Sequence, residues 1–209
     1  MPICFDFDLT LTDSHSSGYP NLDTDYFEEE SLQRIREAFQ ELKEGGHSIY
    51  IVTRGMTHLV EQYISQPRIG LSPYISKVYG ADGESPISGN KEMEGKPFWA
   101  LKKVEYLKVI LGLENAKPED LYFFDDTALN VAEARRQGFT NSYNVAPHQH
   151  GAELIPLILE HVPKKRKKKT FLGRLRSKQT KIRPLDTEPI RSTDSGNSLV
   201  DKFASRQRM

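Results

Sequence analysis

A chain of 209 residues with only 37% hydrophobic side chains is low in apolar content for a fully packed molecule of that length, so part of it is expected to lie outside any core. The single cysteine, Cys4, excludes an intramolecular disulfide and a multi-cysteine metal centre, and no apolar stretch approaches the ~20 residues of a membrane-spanning helix. The net charge of zero is unevenly divided: residues 1–163 carry 14 basic against 25 acidic side chains, a net of −11, and residues 164–209 carry 15 against 4, a net of +11.

Along the first 150 residues, short β-branched or aromatic runs alternate with longer amphipathic segments, the pattern of parallel βαβ units, so the fold class is α/β. A first strand is predicted over 3–7. A helix follows with apolar positions Leu32, Ile35, Phe39 and Leu42, closed by Gly45 and Gly46. The second strand, 48–52, runs into Thr53-Arg54-Gly55, and a short helix over 58–65 ends before Pro67. A third strand fits 74–79. Residues 80–95 read as a loop, followed by a helix with Pro97 in its first turn and Gly112 past its end. The wholly apolar run 121–124 reads as a strand covered on both faces and stops at Asp125-Asp126. A helix over 128–137 closed by Gly138, a strand near 142–145 and a helix over 152–161 complete a domain of residues 1–163. From Lys164 onward periodicity fades, and the tail, 164–209, is expected to be largely disordered.

Open α/β sheets place their sites beyond the carboxyl ends of strands, and Asp6/Asp8/Thr10, Thr53, a downstream lysine and Asp125/Asp126 all fall there. Two carboxylates two residues apart, facing a second acidic pair, repel each other unless a cation holds them. Hard oxygen donors of this kind suit Mg²⁺.

These residues, in this order, resemble the motifs of the haloacid dehalogenase superfamily over about residues 1–150. The resemblance implies a Rossmannoid three-layer sandwich around a central parallel sheet. It also implies phosphoryl transfer in which Asp6 is the nucleophile and Asp8 acts first as acid and then as base. Thr53 and Lys96 would hold the phosphoryl oxygens, and Mg²⁺ would bind Asp6, the Asp8 carbonyl and Asp125; Arg54, next to Thr53, would meet substrate phosphate or a neighbouring acidic group. Asp126 would support the metal through water or hold Lys96, Asn130 would help order this loop, and Thr10 would support the site. Lys96 is preferred over Lys91, Lys102 and Lys103 because Lys-Pro at a helix start, 29 residues before Asp125, resembles the family spacing. An Asp at position 8 points to a phosphatase or phosphomutase. A cysteine phosphatase is excluded because the sixth residue after Cys4 is Thr10 rather than Arg, and a phospho-receiver domain lacks this motif order. His148 and His150 receive no role, and Phe98 and Trp99 are expected to pack in the core, close enough to Lys96 to line a pocket.

The connections after the first and third strands are too short for a folded cap, which predicts an open, capless site. Capless relatives act on phosphate groups of large molecules, so the expected partner is a phosphorylated macromolecule, a phosphoprotein, with phosphotyrosine favoured over phosphoserine or phosphothreonine. Some secreted bacterial effectors are of this type. A small phosphometabolite is the alternative substrate, and a non-catalytic adaptor working through its tail is the alternative of another class. The acidic body argues against specific nucleic-acid binding. The chain reads as soluble, without a cleaved signal and cytoplasmic by default. The run 163–169 resembles a nuclear-import signal and would equally meet an import receptor or an anionic membrane, and Phe171, Leu172 and Leu175 among basic residues suit an amphipathic helix at a membrane surface.

Overall fold

The computed structural model describes residues 1–82 and 96–163, with the side chains of Lys96 and Pro97 left out. The loop expected beyond Asp82 and the basic tail, 164–209, lie outside the described residues.

Five strands form one all-parallel sheet: β1 (Pro2–Phe5), β2 (Ser48–Val52), β3 (Ile75–Tyr79), β4 (Tyr122–Asp125) and β5 (Ser142–Asn144), in the order β3-β2-β1-β4-β5. The helices are α1 (Glu29–Glu44), α2 (Thr57–Ile64), α3 (Lys96–Glu114), α4 (Ala128–Arg136) and α5 (Leu154–His161). Strand pleating sorts the side chains into two apolar layers. Ile3, Phe5, Ile49, Ile51 and Phe124 face α1, α2 and α5, whereas Cys4, Tyr50, Val52 and Phe123 face α3 and α4. The result is the expected three-layer Rossmannoid sandwich. At its centre Phe5 stacks on Phe39 of α1 and Phe124 of β4, with ring centroids 5.4 and 5.3 Å away. Truncating a ring in such a packed stack costs about 3–5 kcal/mol.

Chain direction across the sheet decides where the site lies. From β1 the chain moves outward through β2 and β3, then returns to lay β4 against the other side of β1. Loops leaving β1 and β4 therefore diverge, and a crevice opens at their carboxyl ends.

Several boundaries shift by a residue or two from the sequence expectation, and two of the differences have an identifiable reason. β1 stops at Phe5, because after the Asp6 N–H donates to Phe124 O at 2.9 Å the chain coils into a wide turn over Phe7–Leu11, with Leu9 at φ 54°. Helix α3 runs through Gly112 to Glu114. It ends where Asn115 takes a left-handed φ of 47° and the Ala116 N–H returns to Leu111 O at 3.0 Å, so asparagine performs the stop assigned to glycine.

Candidate active site

Pleat parity brings the first charges together. Cys4 and Phe123 face α3, so Asp6 and Asp125, each two residues further along, emerge on that same side. There the ammonium of Lys103, on α3, lies 2.9 Å from Asp6 Oδ2 and 2.7 Å from Asp125 Oδ2. Lys103 is 1% exposed, Asp6 6% and Asp125 0%. Burial alone would discharge such a lysine; the two carboxylates outweigh it and hold its pKa above the ordinary value. The expectation placed this cation at Lys96, whose side chain is not described; the lysine that meets both carboxylates is Lys103, seven residues later and on the same helical face.

Asp125 is fully engaged. Its Oδ1 accepts from the Thr127 N–H at 2.8 Å and the Asn130 amide at 2.9 Å, while Oδ2 accepts from Lys103 and, at 3.1 Å, from Asn130 again. These contacts occupy the roughly four lone-pair directions of a carboxylate. Asp126 is more open and lines the cavity. Its N–H donates to the Thr10 hydroxyl at 3.1 Å, which gives Thr10 and Asn130 definite tasks: one ties the β1 loop to the β4 loop, the other orients Asp125.

Asp8 is held from the other direction. Its Oδ1 accepts from the Ser16 N–H at 2.9 Å and its Oδ2 from the Gly18 N–H at 3.0 Å, so the segment after the wide turn folds back over this carboxylate. His15 Nδ1 is 3.8 Å from Asp8 Oδ2 and accepts from the Ser17 N–H. That segment is clamped at its far end by Arg68, which donates to Leu22 O at 2.6 Å and pairs with Asp25. Thr53 follows β2, donating its N–H to Tyr79 O at 2.9 Å and accepting from the Gly55 N–H on its hydroxyl at 3.0 Å.

A cavity of about 410 Å³ gathers Asp6, Asp8, Thr53, Arg54 and Asp126, with Tyr19 and Trp99 in its wall. Of the two places the sequence leaves for Trp99, core and pocket wall, the structure puts it on the cavity. One ligand atom from each of Asp6, Asp125 and Asp126 lies within 4.8 Å of the other two. Burial, then the charges of Asp125 and Asp126, lift the Asp6 pKa to about 7 against the lowering effect of Lys103. Such crowding of anions around one cation fits a second, divalent cation. Asp6, Asp125 and Asp126 are the carboxylates grouped closely enough to hold Mg²⁺, and because the Asp125 oxygens also serve Lys103 and Asn130, Asp126 is the more open of the adjacent pair.

Among the described residues, no helix is long and apolar enough to cross a membrane. No protein-family model matches the chain, and a search of curated proteins finds no match. Similar solved structures include phosphoserine phosphatase with bound substrate, at 15% identity over 78% of this chain and 98% of that one, with a TM-score of 0.48. The HAD domain of the effector protein Lem4 from Legionella pneumophila is 15% identical over 77% of this chain and 94% of that one, TM-score 0.46. A predicted phosphoglycolate phosphatase from Haemophilus somnus is 13% identical over 74% of this chain and 96% of that one, TM-score 0.45. These likenesses are distant, and what the site can do follows from its own residues.

Proposed function

We propose that the chain is a Mg²⁺-dependent phosphomonoester hydrolase of the haloacid dehalogenase type, acting on phosphoprotein, with phosphotyrosine favoured. The observation that carries this reading is the Lys103 ammonium bridging Asp6 and Asp125 at the edge of a cavity that also holds Asp8, Thr53 and Asp126.

An Asp6 carboxylate oxygen forms a bond to phosphorus as the ester P–O bond breaks, and Asp8 delivers its proton to the departing oxygen. The Asp8 carboxylate then takes a proton from water as that water attacks the aspartyl-phosphate, which releases phosphate and restores Asp6. Lys103 and Thr53 meet charge on the phosphoryl oxygens as it moves. Mg²⁺, when bound, supplies further charge neutralisation between the carboxylates and the phosphate.

Among the described residues the clamped 13–28 segment is a loop lying along the site rather than a folded cap, which supports a site that receives a phosphate projecting from a large molecule. The basic tail is proposed to address the enzyme to an anionic membrane or an import receptor. Purified protein with Mg²⁺ is expected to hydrolyse p-nitrophenyl phosphate, and Asp6→Asn to abolish turnover. An unchanged rate in Asp6→Asn would falsify the mechanism. A panel of phosphopeptides and sugar phosphates then decides substrate class, and a strong preference for a sugar phosphate would refute the phosphoprotein assignment.

A further inference from the structure

Trp99 stands four residues before Lys103 on α3 and opens onto the same cavity as Asp6, Asp8 and Thr53. Two cations hold its indole: Lys102 Nζ lies 5.0 Å from the ring centroid and the Arg54 guanidinium carbon 5.6 Å. Lys102 is itself buried, donates to Ala81 O at 3.2 Å and sits 5.8 Å from the Tyr106 ring, so the support beneath the indole is fixed. The Phe98 ring meets the indole edge-on at 5.4 Å. Arg54 also lines the cavity, so the contact with Trp99 holds a guanidinium beside the space where a phosphate would enter. Tyr19 lines the cavity from the 13–28 loop and is 66% exposed, so its ring is available at the cavity mouth.

We propose that Trp99 is the specificity-determining residue of this cavity, selecting aryl phosphomonoesters over alkyl ones, with Tyr19 as a second aromatic contact. The proposal rests on the phosphatase reading and goes beyond it by naming the residue that reads the substrate. The phenyl ring of phosphotyrosine holds its phosphorus a ring's length further from the peptide backbone than phosphoserine does, and so spans the aromatic rim before the phosphate reaches Asp6. A rigid indole gives such a ring an offset or edge-on partner, a contact worth roughly three- to tenfold in affinity. A serine ester has no π face to offer.

The test compares wild-type protein, Trp99→Leu and Trp99→Phe on two peptides of identical flanks, one phosphorylated on tyrosine and one on serine. It adds inhibition by benzylphosphonate and by cyclohexylmethylphosphonate, which lack a leaving group and so report binding alone. In Trp99→Leu, kcat/KM is expected to fall about tenfold more on the phosphotyrosine peptide than on the phosphoserine peptide, and Trp99→Phe to recover most of that difference. Wild type is expected to bind benzylphosphonate more tightly than its saturated analogue, and Trp99→Leu to lose the distinction. Equal losses on both peptides, or equal binding of the two phosphonates by wild type, overturn the assignment while leaving the phosphatase intact. The phosphonate pair on wild type decides even where Trp99→Leu fails to fold. If wild type turns over neither peptide nor p-nitrophenyl phosphate, the phosphatase reading itself falls.

Discussion

Gly18 and Gly55 press backbone against backbone beside the site: a Cβ placed on Gly55 falls 3.0 Å from Gly18 O and 3.2 Å from Gly18 Cα, and the Met56 N–H donates to that same carbonyl at 3.0 Å. The contact joins the loop whose amides hold Asp8 to the loop that carries Thr53 and Arg54. The proposed general acid, Asp8, and the proposed phosphate-binding groups are thereby set at a fixed separation by main chain rather than by long side chains.

Gly18→Ala tests this link. Gly18 has φ +80°, and a Cβ there meets Gly55 Cα at 3.1 Å, so alanine is both strained and crowded. A stability loss of about 1–2 kcal/mol is expected from the backbone alone. Because the Gly18 N–H holds Asp8 Oδ2, kcat should fall on the order of tenfold through misplacement of the acid. Thermal unfolding and steady-state kinetics measure the two effects, and a lowered melting temperature with unaltered kcat would show that Asp8 is positioned without this loop.

Replacing Lys103 by Met removes the cation between Asp6 and Asp125, and a rate loss on the order of 10²–10³ is expected. Breaking a buried pair costs up to about 3–5 kcal/mol, less here to the extent that the stranded carboxylates take up protons. Lys96→Met, by contrast, should leave the rate within about twofold. The reverse ranking of the two variants would restore the sequence-based assignment.

The position of Lys103 was legible in the sequence, though not by motif spacing. Ala100, Lys103, Leu107 and Ile110 recur at three, four and three, a stripe that faces the sheet, and a lysine set in a buried stripe needs an anionic partner. Pleat parity from the apolar Cys4 and Phe123 points Asp6 and Asp125 at that same stripe. Strand β2 and helix α1 were equally legible, since each rests on its own periodicity. The path of residues 13–28 was not, because it depends on the Gly18–Gly55 contact and the Arg68 clamp, both formed with residues far along the chain. Nor was the division of labour within Asp125-Asp126: which carboxylate stays free for a metal depends on the donors that surround its neighbour.

That division predicts different phenotypes for adjacent substitutions. Asp126→Asn removes a carboxylate on the cavity while keeping its shape, so the Mg²⁺ concentration for half-maximal activity should rise about 10- to 100-fold. Asp125→Asn replaces an acceptor-only group by one with an NH₂ facing Lys103 or Asn130, so its main effect should be a stability loss of about 3 kcal/mol or more. Metal titrations and denaturant melts separate the two. Equal metal dependence in both variants would place Asp125 in the coordination sphere.

Without metal, Asp6 makes the stability of the protein depend on pH. Burial and the neighbouring carboxylates raise the Asp6 pKa from an ordinary 3.8 to about 7, so the folded state holds a proton here that the unfolded chain releases at lower pH. The stability contributed by this group is complete below about pH 4 and is lost as pH rises through about 7. Asp126 is shifted upward as well, by burial and then by Asp125, and adds in the same direction. In excess chelator the melting temperature should therefore decline from about pH 4 to pH 7 through these groups, and Mg²⁺ should oppose the decline by binding their ionised forms. Asp6→Asn cannot ionise at this position. It should be more stable than wild type at neutral pH without metal, with a shallower pH dependence, alongside its expected loss of turnover. Melting curves of both proteins at pH 4.5 and 7.5 in chelator are sufficient, and parallel behaviour would mean that the buried charge on Asp6 is already balanced by Lys103 alone.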